Sequence, residues 1–191
     1  AIFIARSNGD GTFTQVYASH SGIVGFDLQK SCDQVFPFDY NGDGKQDLCL
    51  YRPGYGAIFI ARSNGDGTFS NVYASHGGIA GYDLRYSQSQ VSSFDYNGDG
   101  KQDLCLFAPG TGAIYIARSN GDGTFTQIHA SHSGIVGFDL QKSCDKVFPF
   151  DYNGDGNSDL CLNRPGRGVI CIAKSIGVTP DLLRRFAKTY G

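Results

Sequence analysis

One nine-residue pattern, D-x-N-x-D-G-x-x-D, occurs three times in this 191-residue chain at an interval of 56 residues. The three copies span residues 39–47, 95–103 and 151–159. Each copy places three carboxylates, one side-chain amide and two glycines in a short stretch of sequence. A repeat of this length is typical of solenoids, propellers and similar arrays.

The sequence around the pattern repeats as well. Residues 1–7 return unchanged as residues 57–63 and, with tyrosine in place of phenylalanine, as residues 113–119. We therefore divide the chain into units 1–56, 57–112 and 113–168, followed by a remnant, 169–175, and a tail, 176–191. The tail departs from the repeat, and its Thr-Pro-Asp start at 179–181 predicts a short C-terminal helix.

Each unit predicts four short antiparallel strands. In the first full set they cover 35–39, 47–51, 57–63 and 68–74. A Pro-Gly turn at 53–56 separates the second strand from the third, and an Asn-Gly-Asp-Gly turn at 64–67 separates the third from the fourth. Four such strands form one blade of a propeller, so the predicted fold is all-β, built of β-propeller blades.

Composition narrows the classes of function. The formal net charge is −2, so no basic excess favours nucleic acid as a partner. No apolar run approaches the roughly 20 residues of a membrane span. The chain has no methionine and opens inside a strand pattern, which is typical of a processed chain or of a piece of a longer one.

The acidic pattern predicts a calcium site between two strands. Alternating loop positions direct Asp39, Asn41 and Asp43 inward. The backbone carbonyl of Lys45 and the carboxylate of Asp47 complete the predicted shell of oxygens. The alternative is a bare turn rich in Asp, Asn and Gly, in which the clustered carboxylates repel one another. The equivalent predicted ligands are Asp95, Asn97, Asp99, Lys101 and Asp103 in the second copy, and Asp151, Asn153, Asp155, Asn157 and Asp159 in the third.

These loops and the Ser-Asn-Gly-Asp-Gly-Thr-Phe elements at 7–13, 63–69 and 119–125 resemble the FG-GAP or VCBS-type calcium-binding repeats. Such repeats occur in integrin α-chain propellers and, as a looser likeness, in fungal propeller lectins. The resemblance extends to about residue 175. It implies a calcium-binding propeller with about three Ca²⁺ sites, and we expect the metal to be mainly structural.

The segments that join one blade to the next contain the best candidates for ligand contact. Each combines a histidine, an aromatic residue and an aspartate, a set that can hold a sugar by stacking and by hydrogen bonds to hydroxyls. The alternative is that the aromatic rings wedge the blades together while the polar groups satisfy the backbone. The residues are His20, Phe26, Asp27, His76, Tyr82, Asp83, His132, Phe138 and Asp139.

Enzymatic activity finds little support in the sequence. The adjacent serine and histidine at 19–20 point to opposite sides of an extended chain, so they do not form a nucleophile and base. Every polar group is repeated, whereas a catalytic site is usually single. We therefore expect no catalytic residues.

Six cysteines follow the repeat rather than a disulfide pattern of their own. Cys161 and Cys171 lie at similar distances on the two sides of a turn, so a disulfide across that hairpin is one possibility, and small buried thiols are the other. Together with calcium, the even count favours an oxidising, extracellular compartment, and we expect secretion.

The sequence therefore predicts a recognition module that binds glycans. The alternatives are a structural or adhesive scaffold that binds protein, or the noncatalytic part of a larger secreted enzyme or toxin. Three blades are too few to close a ring, since propellers usually have four to eight. We expect either a homo-oligomer, most simply a homodimer, that completes the propeller, or a fragment of a longer chain.

Overall fold

The computed structural model describes residues 1–175, all as strands, turns and irregular segments. The predicted C-terminal helix lies outside the described residues. The thirteen strands are β1 (Ile2–Ser7), β2 (Phe13–Ser19), β3 (Gln34–Phe38), β4 (Asp47–Arg52), β5 (Ala57–Ser63), β6 (Phe69–Ser75), β7 (Gln90–Phe94), β8 (Asp103–Ala108), β9 (Ala113–Ser119), β10 (Phe125–Ser131), β11 (Lys146–Phe150), β12 (Asp159–Arg164) and β13 (Val169–Ala173).

The strands form propeller blades in which neighbours along the chain are antiparallel neighbours in the sheet. Two blades are complete, with the orders β3-β4-β5-β6 and β7-β8-β9-β10. The pair β1-β2 precedes them, and the three-stranded sheet β11-β12-β13 follows them. The predicted all-β fold is confirmed, and each predicted strand of the first complete blade lies within one residue of the observed bounds.

The hydrophobic core lies between blades rather than within one sheet. The largest cluster of buried side chains combines Phe38, Ile58 and Ile60 of one complete blade with Leu104 and Leu106 of the next. A second cluster joins the blade β7–β10 to β11–β13, and a third joins β1–β2 and the segment after it to β3–β6. Both faces of a blade are therefore apolar, which explains the near-continuous hydrophobic runs in the inner strands.

The propeller has two faces, and the loops of each unit alternate between them. The face that we call the loop face contains the acidic loops 39–47, 95–103 and 151–159 and the turns after β1, β5 and β9. The opposite face, the segment face, contains the Pro-Gly turns and the segments that join the blades. Backbone hydrogen bonds from Gly54 to Leu84 (2.9 Å) and from Gly110 to Leu140 (3.0 Å) connect the turns to these segments.

The cysteines are all free thiols, so of the two possibilities for Cys161 and Cys171 the structure shows free thiols rather than a disulfide. The register of β12 and β13 places Cys161 opposite Ile172 and Cys171 opposite Leu162. Because side chains alternate across a strand, the two sulfur atoms point to opposite faces of the sheet. Burial raises the pKa of Cys49 well above its usual range and the pKa of Cys105 to about 12. Raised pKa values of this kind are typical of unreactive thiols in a protein core.

Within residues 1–175, the structure contains no helix that is long and apolar enough to cross a membrane.

Candidate functional site

The acidic loops wrap around the first aspartate of each pattern. Asp39 accepts the backbone amide of Gly42 through Oδ1 (2.7 Å) and that of Gly44 through Oδ2 (2.8 Å). Asp95 and Asp151 make the equivalent bonds in the other two loops, at 2.7 to 3.0 Å. Gly44 has φ +80°, a conformation that favours glycine, and it lets the loop turn back on itself.

The last aspartate of each pattern is buried although it bears a charge. Asp47 and Asp103 have no exposed surface, and Asp159 is 1% exposed. Each accepts through Oδ1 the amide of a serine at the end of the third strand of its own blade or, for Ser175, two residues beyond it, at 2.6 to 2.8 Å. The Oδ2 atoms of Asp47 and Asp159 have no hydrogen-bond partner in the described part of the chain.

Burial shifts the pKa values of Asp47 and Asp103 upward. It raises the pKa of Asp103 to about 7 and also raises that of Asp47. The negative charges of the other loop aspartates act in the same direction, but they are lesser causes. Without a cation, the first two loops therefore favour the protonated form of a carboxyl group that the sequence predicts as a metal ligand.

The middle aspartate of each loop accepts hydrogen bonds from the residue two positions later. Lys45 donates to Asp43 through its backbone amide (2.8 Å) and its ammonium group (3.0 Å), and Lys101 does the same to Asp99. In the third loop, an asparagine replaces the lysine. Hydrogen bonds from Asn157 lower the pKa of Asp155 to about 2, and Lys174 lies 3.3 Å from the same carboxylate.

The residues present fit a hard cation, although they are not arranged as a finished coordination shell. No group of three or more Asp, Glu, His or Cys side chains among residues 1–175 is already placed to hold a metal. The unpartnered buried oxygens of Asp47 and Asp159 nevertheless lie at the ends of loops rich in oxygen donors. A bound cation would satisfy these oxygens and compete with Lys45 for Asp43.

Neighbouring acidic loops are tied to each other across the blade boundary. Gln102 of the second loop accepts the amide of Asp39 through its side chain (2.8 Å) and donates its own amide to the Asp39 carbonyl (2.8 Å). Ser119 donates through Oγ to the carbonyl of Tyr40 (2.6 Å). Between the second and third loops, the amide of Ser158 donates to Asp95 (2.7 Å), and the glutamine is replaced by this serine.

We expect Gln102→Ala to lower the free energy of unfolding by about 1 kcal/mol, because it leaves the amide of Asp39 without its acceptor. Gln141 is an exposed glutamine on the segment face, away from the acidic loops. Gln141→Ala is therefore the control and should change the stability by less than about 0.5 kcal/mol. Urea denaturation measures both, and equal effects of the two substitutions would contradict a role for the tie between blades.

The aromatic residues predicted to contact a ligand are buried between blades. Phe26, Tyr82 and Phe138 are 3%, 1% and 6% exposed. Phe26 meets Phe59 edge-on with ring centroids 5.4 Å apart, and Tyr82 meets Tyr115 in the same way at 5.2 Å. These rings leave no open face, so a stacking role toward a sugar is incompatible with their placement.

Each histidine packs against an aromatic residue of the third strand of its blade rather than against the aromatic residue predicted to join it. His76 packs against Phe59 at 5.7 Å, on the same ring that Phe26 contacts. His132 packs against Tyr115 at 5.7 Å and bonds its hydroxyl through Nε2 (3.0 Å). His20 packs against Phe3 at 5.5 Å. All three histidines are exposed on the segment face.

The aspartates beside these rings pair with arginines that sequence reasoning missed. Arg52 bonds Asp27, and it also donates from Nη2 to Asp33 (2.9 Å), whose side chain is 4% exposed. The Arg52 guanidinium lies 5.0 Å from the centroid of Phe26. Arg164 repeats this arrangement with Asp139, Asp145 and Phe138, whereas Asp83 of the middle unit pairs with its near neighbour Arg85 (2.9 Å).

The middle unit replaces the arginine network with a smaller one. Ala108 occupies the position of the arginine, and Ser89 occupies the position of the buried aspartate. Tyr82 supplies a hydroxyl that bonds Ser89 (3.1 Å) inside the core. The three differences occur together, which is the signal in the sequence that could have revealed the network.

A cleft of about 640 Å³ opens on the segment face between the second complete blade and the blade β11–β13. Its walls come from the joining segments at 86–88 and 141–144 and from the turns at 109–111 and 164–167. Two blades contribute polar side chains to this cleft. These side chains include Ser87, Gln88, Thr111, Gln141, Ser143 and Arg167.

Two overlapping stretches of the sequence, residues 39–106 and 95–162, match the family model described as FG-GAP-like repeat. Together they span 39–162, which is more than half of the chain. The chain belongs to the FG-GAP-like repeat family. Each match begins at the first aspartate of one acidic loop and continues through the next loop, so the FG-GAP-like repeats are in phase with the loops. No curated protein sequence matches the chain.

Solved structures with the same fold include a lectin of Agrocybe aegerita, described as recognising non-reducing terminal N-acetylglucosamine. It is 24% identical with a TM-score of 0.58, and the match covers 93% of this chain and 47% of the lectin. The Photorhabdus luminescens Tc holotoxin pore is 18% identical with a TM-score of 0.57, over 76% of this chain and 6% of that one. This chain thus spans less than half the length of either protein, and both likenesses concern the fold.

Proposed function

We propose that this propeller is a secreted, noncatalytic recognition module that binds calcium through its acidic loops and carbohydrate through the segment face. The cleft between blades supports the carbohydrate part most directly. It offers hydroxyl, amide and guanidinium groups from two blades around a space of about 640 Å³. Sites for small polar ligands are typically concave and contain a few such convergent groups.

Calcium would be held by the residues that the loop sequence predicts, with Asp47, Asp103 and Asp159 as the buried members. When bound, the ion supplies positive charge to these carboxylates. With a dissociation constant near 0.1 mM, as in extracellular modules, about 1 mM calcium adds roughly 1.4 kcal/mol of stability per site. Because the acidic loops and the cleft lie on opposite faces, calcium supports ligand binding through the fold rather than by contact.

Carbohydrate is the ligand class favoured by the chemistry of the cleft and by its place in the fold. The Agrocybe aegerita lectin shares the fold and is described as a reader of terminal N-acetylglucosamine. The identity is too low to bring that specificity to this chain. With Phe26, Tyr82 and Phe138 buried, we expect recognition by hydrogen bonds to hydroxyl groups rather than by stacking on these rings.

A glycan array tests this proposal, and Gln141→Ala provides its sharpest variant. Gln141 is exposed and borders the cleft, so its removal should weaken binding about threefold to tenfold without unfolding the chain. Gln29 occupies the same position of the first unit and is also exposed. Gln29→Ala is the matched control and should bind as the unchanged chain does.

A blank array from folded protein would reject carbohydrate as the ligand. The result would favour the second candidate, a protein-binding scaffold or the noncatalytic part of a larger secreted protein. The likeness to a small fraction of the Tc holotoxin pore supports this candidate, since it shows the same blades within a much longer chain. Arrays in calcium and in EDTA, at a temperature where both forms are folded, separate contact by the metal from support of the fold.

A further inference from the structure

The contact between neighbouring blades has the same parts at both places where it occurs complete in the described chain. The turn after the third strand of one blade lies against the bulged fourth strand of the preceding blade. Gly67 approaches the carbonyl oxygen of Val16 so closely that a Cβ atom would be 2.9 Å away, and Gly123 approaches that of Val72 equally closely. The next aromatic residue packs edge-on against that fourth strand, as Phe69 does on Tyr17 with centroids 6.0 Å apart.

The turn that makes this contact is uncovered at one end of the described array of blades, and the fourth strand that receives such a turn is uncovered at the other end. At one end, the β1–β2 hairpin has the same turn sequence, yet Phe13 is 67% exposed and no atom of residues 1–175 lies within 4 Å of a Cβ built on Gly11. At the other end, an apolar groove of about 190 Å³ beside β10 contains Ile128 and Val136. These two side chains are 45% and 61% exposed.

The edge strand β1 has the sequence of a strand that is fully paired elsewhere. Residues 1–7 are identical to residues 57–63, which include β5, and β5 pairs with β4 on its inner side. β1 pairs only with β2, and Phe3 is 57% exposed, whereas the equivalent Phe59 is 7% exposed. The partner that fits β1 is therefore a second strand of the type of β4, and β12 is the strand of this type beside an incomplete blade.

We infer that a second copy of this chain completes the last blade by strand exchange. The β1–β2 hairpin of one copy takes the place of β13 on β12 of the other, giving a blade of the usual order. In return, the β1–β2 hairpin of the second copy completes the last blade of the first copy. Each copy would then contribute three blades to a ring of six, which lies within the usual range for propellers.

β13 is the strand that the exchange displaces, because it occupies on β12 the place that β1 would take, and its outer surface is left uncovered. Val169, Ile170 and Ile172 are 44%, 67% and 50% exposed. In the complete blades, the residues equivalent to Ile170 are fully buried. The incoming hairpin brings its own next blade, which it already contacts through Tyr17 and Phe69, and that blade covers this surface.

The exchange also preserves the polar contacts of the last acidic loop. In the complete blades, the serine that ends the third strand donates its amide to the buried closing aspartate, and Ser175 does so to Asp159. Ser7 ends β1 at the same position and would replace Ser175. Phe13 would pack against His129, which occupies the place that Tyr17 and Tyr73 have in the other two units.

Disulfide trapping distinguishes this exchange from a chain that keeps β13 in place. Cys49 and Cys105 lie opposite Ile60 and Ile116 in the complete blades, and antiparallel partners have Cα spacings that a disulfide can bridge. Ile4→Cys should therefore form a disulfide between chains with Cys161 of the other copy. Adding Cys161→Ser to this variant should abolish the crosslink, and the unchanged chain is the second control.

Light scattering of the unchanged chain should give twice the 20.5 kDa mass of one chain. Phe13→Ala should raise the dimer dissociation constant roughly tenfold or more. Tyr55→Ala removes an aromatic side chain that is 57% exposed in a turn outside the exchanged surfaces, and it should leave the dimer unchanged.

Three outcomes would overturn the exchange. One is a monomer at every concentration, and another is a dimer in which Ile4→Cys gives no crosslink or gives one that survives Cys161→Ser. The third is a disulfide within one chain in the Ile172→Cys variant of the dimer, because Ile172 lies opposite Cys161 only while β13 stays on β12.

Discussion

Replacing Arg52 with alanine is expected to lower the free energy of unfolding by about 3–5 kcal/mol. The loss comes less from the missing attraction than from Asp33, whose side chain is 4% exposed and would be left buried without its partner. The substitution also removes the guanidinium from the face of Phe26, 5.0 Å away. Chemical denaturation of the purified variant measures the effect.

The chain supplies its own control for this experiment. The triple variant Phe26→Tyr, Asp33→Ser, Arg52→Ala installs the set that the middle unit has as Tyr82, Ser89 and Ala108. It removes the buried charge together with its partner and adds a hydroxyl able to bond the new serine. We expect it to recover most of the stability lost by Arg52→Ala. Equal destabilisation by the single and triple variants would show that the buried charge is not the cause.

Asp103→Asn is expected to stabilise the calcium-free chain at neutral pH by about 1–4 kcal/mol. Asp103 is fully buried, and burial raises its pKa to about 7, against about 3.9 in an unfolded chain. At pH 7.5 the native state must hold this carboxylate ionised without a counterion. The amide of asparagine has nearly the same shape and still offers an oxygen to the backbone of Ser119.

The pH dependence of the calcium-free chain has a defined direction. Between about pH 4 and pH 7, the folded state keeps a proton on Asp103 that the unfolded state has lost. Stability from this group therefore falls as the pH rises through that window. Thermal unfolding in EDTA at pH 5 and pH 7.5 should show a smaller fall for Asp103→Asn than for the unchanged chain. A fall of the same size in both would exclude Asp103 as its source.

The repeat made most of the fold predictable. Strand periodicity, the Pro-Gly turns and the Asn-Gly-Asp-Gly turns are local signals, and they placed the strands within one residue in the first complete blade. The acidic loops were equally visible, because their ligand types occur at fixed spacing within nine residues. Turns and loops encoded within a few residues can be predicted from the sequence, because distant parts of the chain have little influence on them.

The segment face was less predictable, because its contacts join residues that are far apart in the sequence. His76 and Phe26 meet on Phe59, a ring from a third stretch of sequence, and no spacing within one unit encodes this meeting. Arg52 and Asp33 are 19 residues apart on opposite sides of an acidic loop. The cleft is composed of ordinary serines and glutamines that only the packing of two blades brings together.

Calcium binding is tested most directly by isothermal titration calorimetry of the chain after removal of metal with a chelator. The three acidic loops predict saturable binding of about three ions per chain, and Asp103→Asn should weaken or remove one of them. The same addition of calcium should raise the unfolding temperature of the unchanged chain. Absence of heat, together with an unfolding temperature that calcium does not change, would contradict the calcium-binding function proposed for these loops.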